Sequence, residues 1–143
     1  MDTDQLYPLV MKAVGCAMDK DADGACDALN EIGNSGDPWD MYAACCGFAE
    51  VGKAALKKIY RGRVPNLKRG DMWAIQELRP GCTPAADLFA VRFLVAYCND
   101  DADTGPALFN AAFDAGSEHY TESVSALLAN VAGLSSLALQ RKP

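Results

Sequence analysis

Seven basic residues and no acidic ones lie between residues 53 and 69, and this segment is named the basic belt. Such a segment is typical of a surface that binds an acidic protein or a polyanion. The side chains expected to bind a partner are Lys57, Lys58, Arg61, Arg63, Lys68 and Arg69. Two other interpretations stay open: the charges solvate the surface and offset acidic turns of the same molecule, or they contact nucleic acid.

Residues 19–27 form an acidic turn with the sharpest local pattern in the sequence. It begins Asp-x-Asp-x-Asp-Gly, which resembles the first half of a calcium-binding helix-loop-helix loop. The match then fails, because Asn30 stands where such a loop has the glutamate that completes the ion's shell. We therefore expect Asp21 or Asp23 to cap a helix, and we expect calcium to bind no more tightly than millimolar.

The remaining candidates for chemistry are six cysteines and one histidine. Four of the thiols fall within apolar helical stripes, where a free cysteine acts as a small hydrophobe, so we expect structural thiols rather than disulfides, metal ligands or redox groups. Cys82 lies in a loop with proline and glycine and is the one expected to react. His119 has no nucleophile motif around it and is expected at the surface. The sequence predicts neither an enzyme, a cofactor nor a metal site.

Seven segments show the hydrophobic period and the boundary signals of helices. Their approximate ranges are 3–18, 24–33, 38–60, 72–78, 84–98, 104–115 and 118–140. The clearest start is Asp37, an N-cap that is followed by proline at the first helical position. Cys26 is expected on the buried face of the second helix, and Asp71 is expected to cap the fourth. Gly47 and Gly52, inside the third helix, indicate a close approach of a neighbouring helix.

These elements predict an all-α fold, a single-domain bundle of six or seven helices over residues 1–143. A shift of 80 residues aligns Asp21-Ala22-Asp23 with Asp101-Ala102-Asp103. Each half, about 1–62 and 83–140, then has a long helix, a short helix and a long helix. The residues between the halves, about 63–82, form a basic connector that joins the two. The pattern indicates either a duplication or two similar hairpins that share common turn chemistry.

Composition limits the class of protein. Half of the 143 residues are apolar, and 24 Ala and 14 Leu outnumber 8 Val and 3 Ile, which favours helix over sheet and excludes a disordered chain. No apolar stretch approaches the roughly 18 residues of a membrane span, so we expect no membrane contact. The acidic start, Met-Asp-Thr-Asp, is unlike a signal peptide and predicts a cytoplasmic protein.

The function expected from these observations is that of a non-catalytic helical protein-interaction or adaptor domain, with a protein partner of unknown identity. The alternative is a regulator that contacts nucleic acid through residues 53–69. The whole chain has a net charge of −6, so the residues outside the belt carry −13, which opposes binding to polyanions. A small-molecule enzyme is the third possibility, and a pocket with carboxylates of perturbed pKa would favour it.

Overall fold

A computed structural model describes residues 1–35, 37–73 and 84–140 of the chain. The six α-helices are α1 (Thr3–Met18), α2 (Ala22–Gly33), α3 (Pro38–Ile59), α4 (Ala85–Cys98), α5 (Thr104–Asp114) and α6 (Ser117–Gln140). A short 3-10 helix, Leu67–Arg69, lies between α3 and α4. The structure is 79% helical and the described residues contain no strand, so the predicted all-α bundle is confirmed.

The helices begin at the polar signals that the sequence provides. Asp37 accepts a hydrogen bond from the Trp39 N–H group at 2.9 Å, and Pro38 stands at the start of α3 as predicted. Asp21 accepts a hydrogen bond from the Gly24 N–H group at 3.0 Å, so the prediction that the acidic turn caps a helix is confirmed. These caps satisfy N–H groups that the first turn of a helix leaves unpaired.

One hydrophobic cluster takes buried residues from all six helices. Its largest fully buried members are Phe48, Phe93, Phe109, Ile32, Leu127 and Val131. Six of the 14 residues of α4 are buried, and α4 packs on α3, α5 and α6.

Helix α3 passes close to its neighbours at two glycines. A Cβ atom at Gly47 would lie 3.0 Å from Cγ1 of Val10 in α1. A Cβ atom at Gly52 would lie 3.0 Å from Cδ1 of Leu94 in α4 and 3.1 Å from Cγ2 of Val131 in α6. The interpretation of both glycines as points of close helix approach is therefore confirmed.

The two halves repeat the same backbone turn with an offset of 80 residues. The N–H groups of residues 19, 20 and 21 bond to the carbonyl oxygens of residues 15, 17 and 16. The N–H groups of residues 99, 100 and 101 make the same three bonds, to residues 95, 97 and 96. Lys20 and Asp100 are both left-handed, with φ of 62° and 56°. The halves also interlock, because α3 packs on α4 while α6 packs on α1.

The burial predicted for Cys26 in α2 is wrong, although Ile32 in the same helix is buried. Cys26 is exposed, whereas Ala25, Ala28 and Ile32 are buried. Small alanine side chains allow α2 to lie close against α1, with which it packs extensively. The sequence pattern gave Cys26 more weight than alanine because cysteine is the more hydrophobic side chain.

The cap predicted at Asp71 is also wrong. The Asp71 carboxylate accepts hydrogen bonds from the Asn66 N–H group at 3.1 Å and from the Arg69 guanidinium at 2.7 Å, so it closes the turn around the 3-10 helix instead. Met72 and Trp73 are not helical. The rest of the predicted helix 72–78 and the predicted reactive Cys82 lie outside the described residues.

Helix α6 changes one expectation about membranes. Its 24 residues are long and apolar enough to cross a bilayer, with a mean hydropathy of 1.3 over 18 residues, although no such stretch was expected from the sequence. The central helix of a bundle meets the same criterion. In this structure 39% of that stretch is buried, and α6 packs on α1, α3, α4 and α5.

Candidate partner-binding surface

The six side chains predicted to bind a partner are all exposed, along a path from the end of α3 into the connector. Lys57 and Lys58 lie in the last turn of α3, where cations are favoured by the negative end of the helix dipole. Lys68 and Arg69 lie in the 3-10 helix, which Asn66 caps by accepting from the Lys68 N–H group at 3.1 Å. The structure therefore places the basic belt on the surface, with its two ends on ordered helical turns.

Few of the belt's charges are paired within the molecule. The Lys53 ammonium lies 3.9 Å from the Asp100 carboxylate, and the Arg69 guanidinium lies 2.7 Å from that of Asp71. The other five side chains form no ion pair with any residue that the structure describes. Only Lys53 approaches an acidic turn, so the described contacts give little support to the interpretation in which the belt offsets those turns.

An apolar groove of about 440 Å³ adjoins the belt. It lies between the end of α3, the connector, α4 and α6, and its lining includes Leu56, Tyr60, Arg63, Trp73, Leu94 and Leu134. The Arg63 guanidinium lies 5.6 Å from the centre of the Tyr60 ring, within the range of a cation–π interaction. Arg63 therefore belongs to both the belt and the groove, so charge and apolar surface share one face.

The groove is held by a contact that sequence reasoning missed. The Trp73 N–H group donates to Oδ1 of Asn99 at 2.7 Å, and Nδ2 of Asn99 donates to the Trp73 carbonyl oxygen at 3.0 Å. This pair of hydrogen bonds ties the connector to the end of α4. The Tyr60 and Trp73 rings then meet edge to face, with centres 6.0 Å apart. No local motif predicts a contact between residues this far apart in the chain.

The acidic turns use their carboxylates as helix caps. Asp101 accepts hydrogen bonds from the backbone N–H groups of Asp103 and Thr104 and from the Thr104 hydroxyl. The Thr104 hydroxyl, followed by these backbone bonds, lowers the pKa of Asp101 below its usual value. In the ranges 1–35, 37–73 and 84–140, no three His, Cys, Asp or Glu side chains converge as metal ligands.

The thiols and the histidine are distributed along the helices. Cys45 and Cys98 are buried, as expected for structural thiols, and burial raises the pKa of Cys98 to about 11. Burial likewise raises the pKa of Cys45, so both groups are protonated and poorly nucleophilic at neutral pH. His119 lies half-buried in the first turn of α6.

Comparisons with known proteins assign no family to this chain. A scan of protein-family models, a search of curated proteins and a search of solved structures each give no match to this chain.

Proposed function

We propose that the chain is a non-catalytic helical interaction domain that binds an acidic, amphipathic segment of a protein partner through the basic belt and the adjoining groove. One observation carries the proposal. Five basic side chains of the belt form no ion pair with any residue that the structure describes, and one of them, Arg63, also lines the adjoining apolar groove.

The chemistry of the surface indicates the chemistry of the partner. Leu56, Leu94 and Leu134 offer apolar contacts in the groove, and Tyr60 and Trp73 offer rings. An amphipathic helix binds such a groove with its apolar face. Acidic residues along the edges of that helix would then face the belt, where charge complementarity favours both encounter and register.

A regulator that contacts nucleic acid through residues 53–69 is the second candidate. The Tyr60 and Trp73 rings beside the belt favour it, since nucleobases stack on exposed aromatic side chains. The net charge of −6 and pI near 4.6 oppose it. If it is correct, duplex DNA should be retarded at low salt, with a log–log salt slope of about −0.9 for each phosphate contacted.

The direct test uses a labelled helical peptide with glutamates on one face and leucines and phenylalanines on the other. Fluorescence anisotropy should show binding to the wild-type protein. Reversing two charges in Lys57→Glu/Arg61→Glu should weaken binding by about tenfold or more, because each lost charge-assisted contact is worth roughly 1.5–3 kcal/mol. Trp73→Ala should weaken binding by removing a ring from the groove.

The matched control reverses two exposed lysines outside the belt. Lys12→Glu/Lys20→Glu changes the net charge by the same amount and should leave the peptide affinity within about twofold, because neither lysine lines the groove. Both double variants should keep their melting temperature, since exposed charges contribute about 0–1 kcal/mol to folding. Equal losses in the two double variants would contradict a localised site.

A further inference from the structure

A second cleft lies on a different part of the molecule. It is open, about 370 Å³ in volume, and is formed by α3, the end of α4 and the start of α5. Its lining includes Tyr42, Cys46, Lys53, Phe93, Tyr97 and Asp100. This volume falls within the range of small-molecule sites, which combine apolar walls with a few polar groups.

The first half of the chain builds a cleft at the equivalent place and fills it with different side chains. Its lining includes Ala17, Lys20, Ala22, Ala25, Leu128 and Ala129. Ala17 and Lys20 correspond to Tyr97 and Asp100 across the 80-residue offset. A cleft therefore lies beside the repeated turn in both halves, but Tyr97 and the mixed charges of Lys53 and Asp100 line only the second one.

The Lys53 ammonium lies in the second cleft, and its N–H donors make no hydrogen bond to a residue that the structure describes. Its side chain is 21% exposed, and its ammonium lies 3.9 Å from the Asp100 carboxylate, beyond hydrogen-bond distance. The ammonium also lies 5.8 Å from the centre of the Tyr97 ring. A half-buried ammonium with three donors and, among the described residues, no acceptor within hydrogen-bond distance favours a ligand that supplies an oxygen anion.

Asp100 places an opposite requirement on the same ligand. Its side chain is 72% exposed at the mouth of the cleft, and Asp101 adds a second carboxylate there. A simple anion that reached Lys53 would be repelled by both carboxylates, and a simple cation would have to displace Lys53. A molecule that carries both charges meets neither difficulty.

The walls of the cleft are neutral and chemically unreactive. Burial, with a hydrogen bond to Cys46, raises the pKa of Tyr42 to about 12. Burial also raises the pKa of Cys46, so its thiol is protonated and weakly nucleophilic at neutral pH. The Tyr97 hydroxyl donates to Glu50, which fixes that ring against the cleft. These groups suit reversible binding of a planar apolar body.

We propose that this cleft binds a small zwitterion of the amino-acid class with an aromatic side chain. The ligand's carboxylate would accept from Lys53, its ammonium would donate to Asp100, and its side chain would lie against the rings of Tyr42, Phe93 and Tyr97.

The test is calorimetric titration with three probes that share a phenyl ring on a two-carbon chain. L-phenylalanine carries both charges, 2-phenylethylamine carries only the ammonium, and 3-phenylpropionate carries only the carboxylate. L-phenylalanine should bind at least about tenfold more tightly than either analogue, because each analogue loses one charge-assisted contact. Equal affinity for either analogue, or no heat with L-phenylalanine at millimolar concentration, would overturn the proposal.

Variants locate the binding site. Lys53→Met and Asp100→Asn should each weaken L-phenylalanine binding about tenfold, whereas Lys57→Met, one turn further along α3, should not. Gly105 forms part of the cleft, and a Cβ atom there would lie 3.7 Å from the Tyr42 hydroxyl, an ordinary contact. Gly105→Ala should therefore retain binding, and Gly105→Leu should fill the cleft and abolish it. Unchanged L-phenylalanine binding in Lys53→Met would also reject the site. Unchanged binding in Gly105→Leu, with that variant still folded, would reject it as well.

Discussion

Asp21 and Asp101 occupy equivalent positions in the two halves of the molecule, and each accepts a hydrogen bond from an N–H group in the first turn of the short helix that follows. Asp21 accepts hydrogen bonds from the Gly24 N–H group and the Cys16 thiol. Asp101 accepts from both the N–H group and the hydroxyl of Thr104. The side chain that donates to the aspartate thus lies in the preceding helix in the first half (Cys16 in α1) and in the following helix in the second half (Thr104 in α5). The two turns therefore share their backbone hydrogen bonds but differ in the side chains that surround them.

The exchange also conserves space. A Cβ atom at Gly24 would lie 2.5 Å from Oδ2 of Asp21 and 2.7 Å from the Cys16 sulfur, so a side chain there would have to displace both groups. In the second half, Thr104 and Ala96 stand at the equivalent positions. The larger residue in one helix is matched by a smaller residue in the other, as close packing requires.

The left-handed residues support the same conclusion. Backbone strain often marks a functional site. Lys20 and Asp100 share the conformation, although only Asp100 lies beside the aromatic cleft. The strain is therefore a property of the turn, and the argument for a ligand rests on the side chains around Asp100.

The largest expected effect comes from making one half resemble the other in the core. Phe93 is 1% exposed and corresponds to Ala13. Phe93→Ala should destabilise the protein by about 3–5 kcal/mol, because it leaves a cavity among packed rings. Urea denaturation measures the loss. Phe113→Ala, at an exposed ring in the same half, is the control and should cost much less. If Phe93→Ala lowered the free energy of unfolding no more than Phe113→Ala does, the second half would not depend on its buried rings.

The next effect tests the exchange of side chains in the turn. Gly24→Thr alone should cost about 1–3 kcal/mol, because the new side chain meets the Asp21 carboxylate and the Cys16 sulfur. Cys16→Ala/Gly24→Thr reproduces the pair found in the second half and should be more stable than Gly24→Thr. The coupling in this double-mutant cycle should reach at least about 0.5 kcal/mol. Strict additivity would mean that the two turns are not interchangeable.

The helices and their caps could be predicted from sequence because their signals are local. Asp37 followed by Pro38 fixes the start of α3 through two adjacent residues. The offset of 80 residues was also visible in the acidic turns. Cys26 was misplaced because a hydrophobic period does not distinguish alanine chosen for close packing from alanine at the surface.

The two clefts could not be predicted in this way. Trp73 meets Asn99, and Lys53 meets Asp100, only after α3, the connector and α4 have packed together. The belt was predicted from its composition, and its exposure agrees with that prediction. The groove beside it depends on side chains from α4 and α6, about which a charge pattern carries no information.

The contribution of the Asp101 carboxylate to stability should depend on pH. The folded pKa of Asp101 lies below its unfolded value, so its contribution is complete above the unfolded pKa and is lost as pH falls through the folded pKa. The stability advantage of the wild type over Asp101→Asn should therefore shrink as pH falls below about 4. Melting temperatures of the wild type and of Asp101→Asn, taken from about pH 7 to about pH 3, measure this difference, because that range spans the reference pKa of aspartate.

The smallest expected effect separates the two left-handed residues. Glycine adopts this conformation without the steric cost that a Cβ atom brings, so Lys20→Gly should stabilise the protein by about 0.5–1 kcal/mol. Asp100→Gly should gain less, because aspartate tolerates the left-handed region better than lysine and because the change removes the partner of Lys53. Urea midpoints at constant slope report both changes. A larger gain from Asp100→Gly than from Lys20→Gly would contradict a shared turn geometry, since it would mean that Asp100 is strained by something other than the turn.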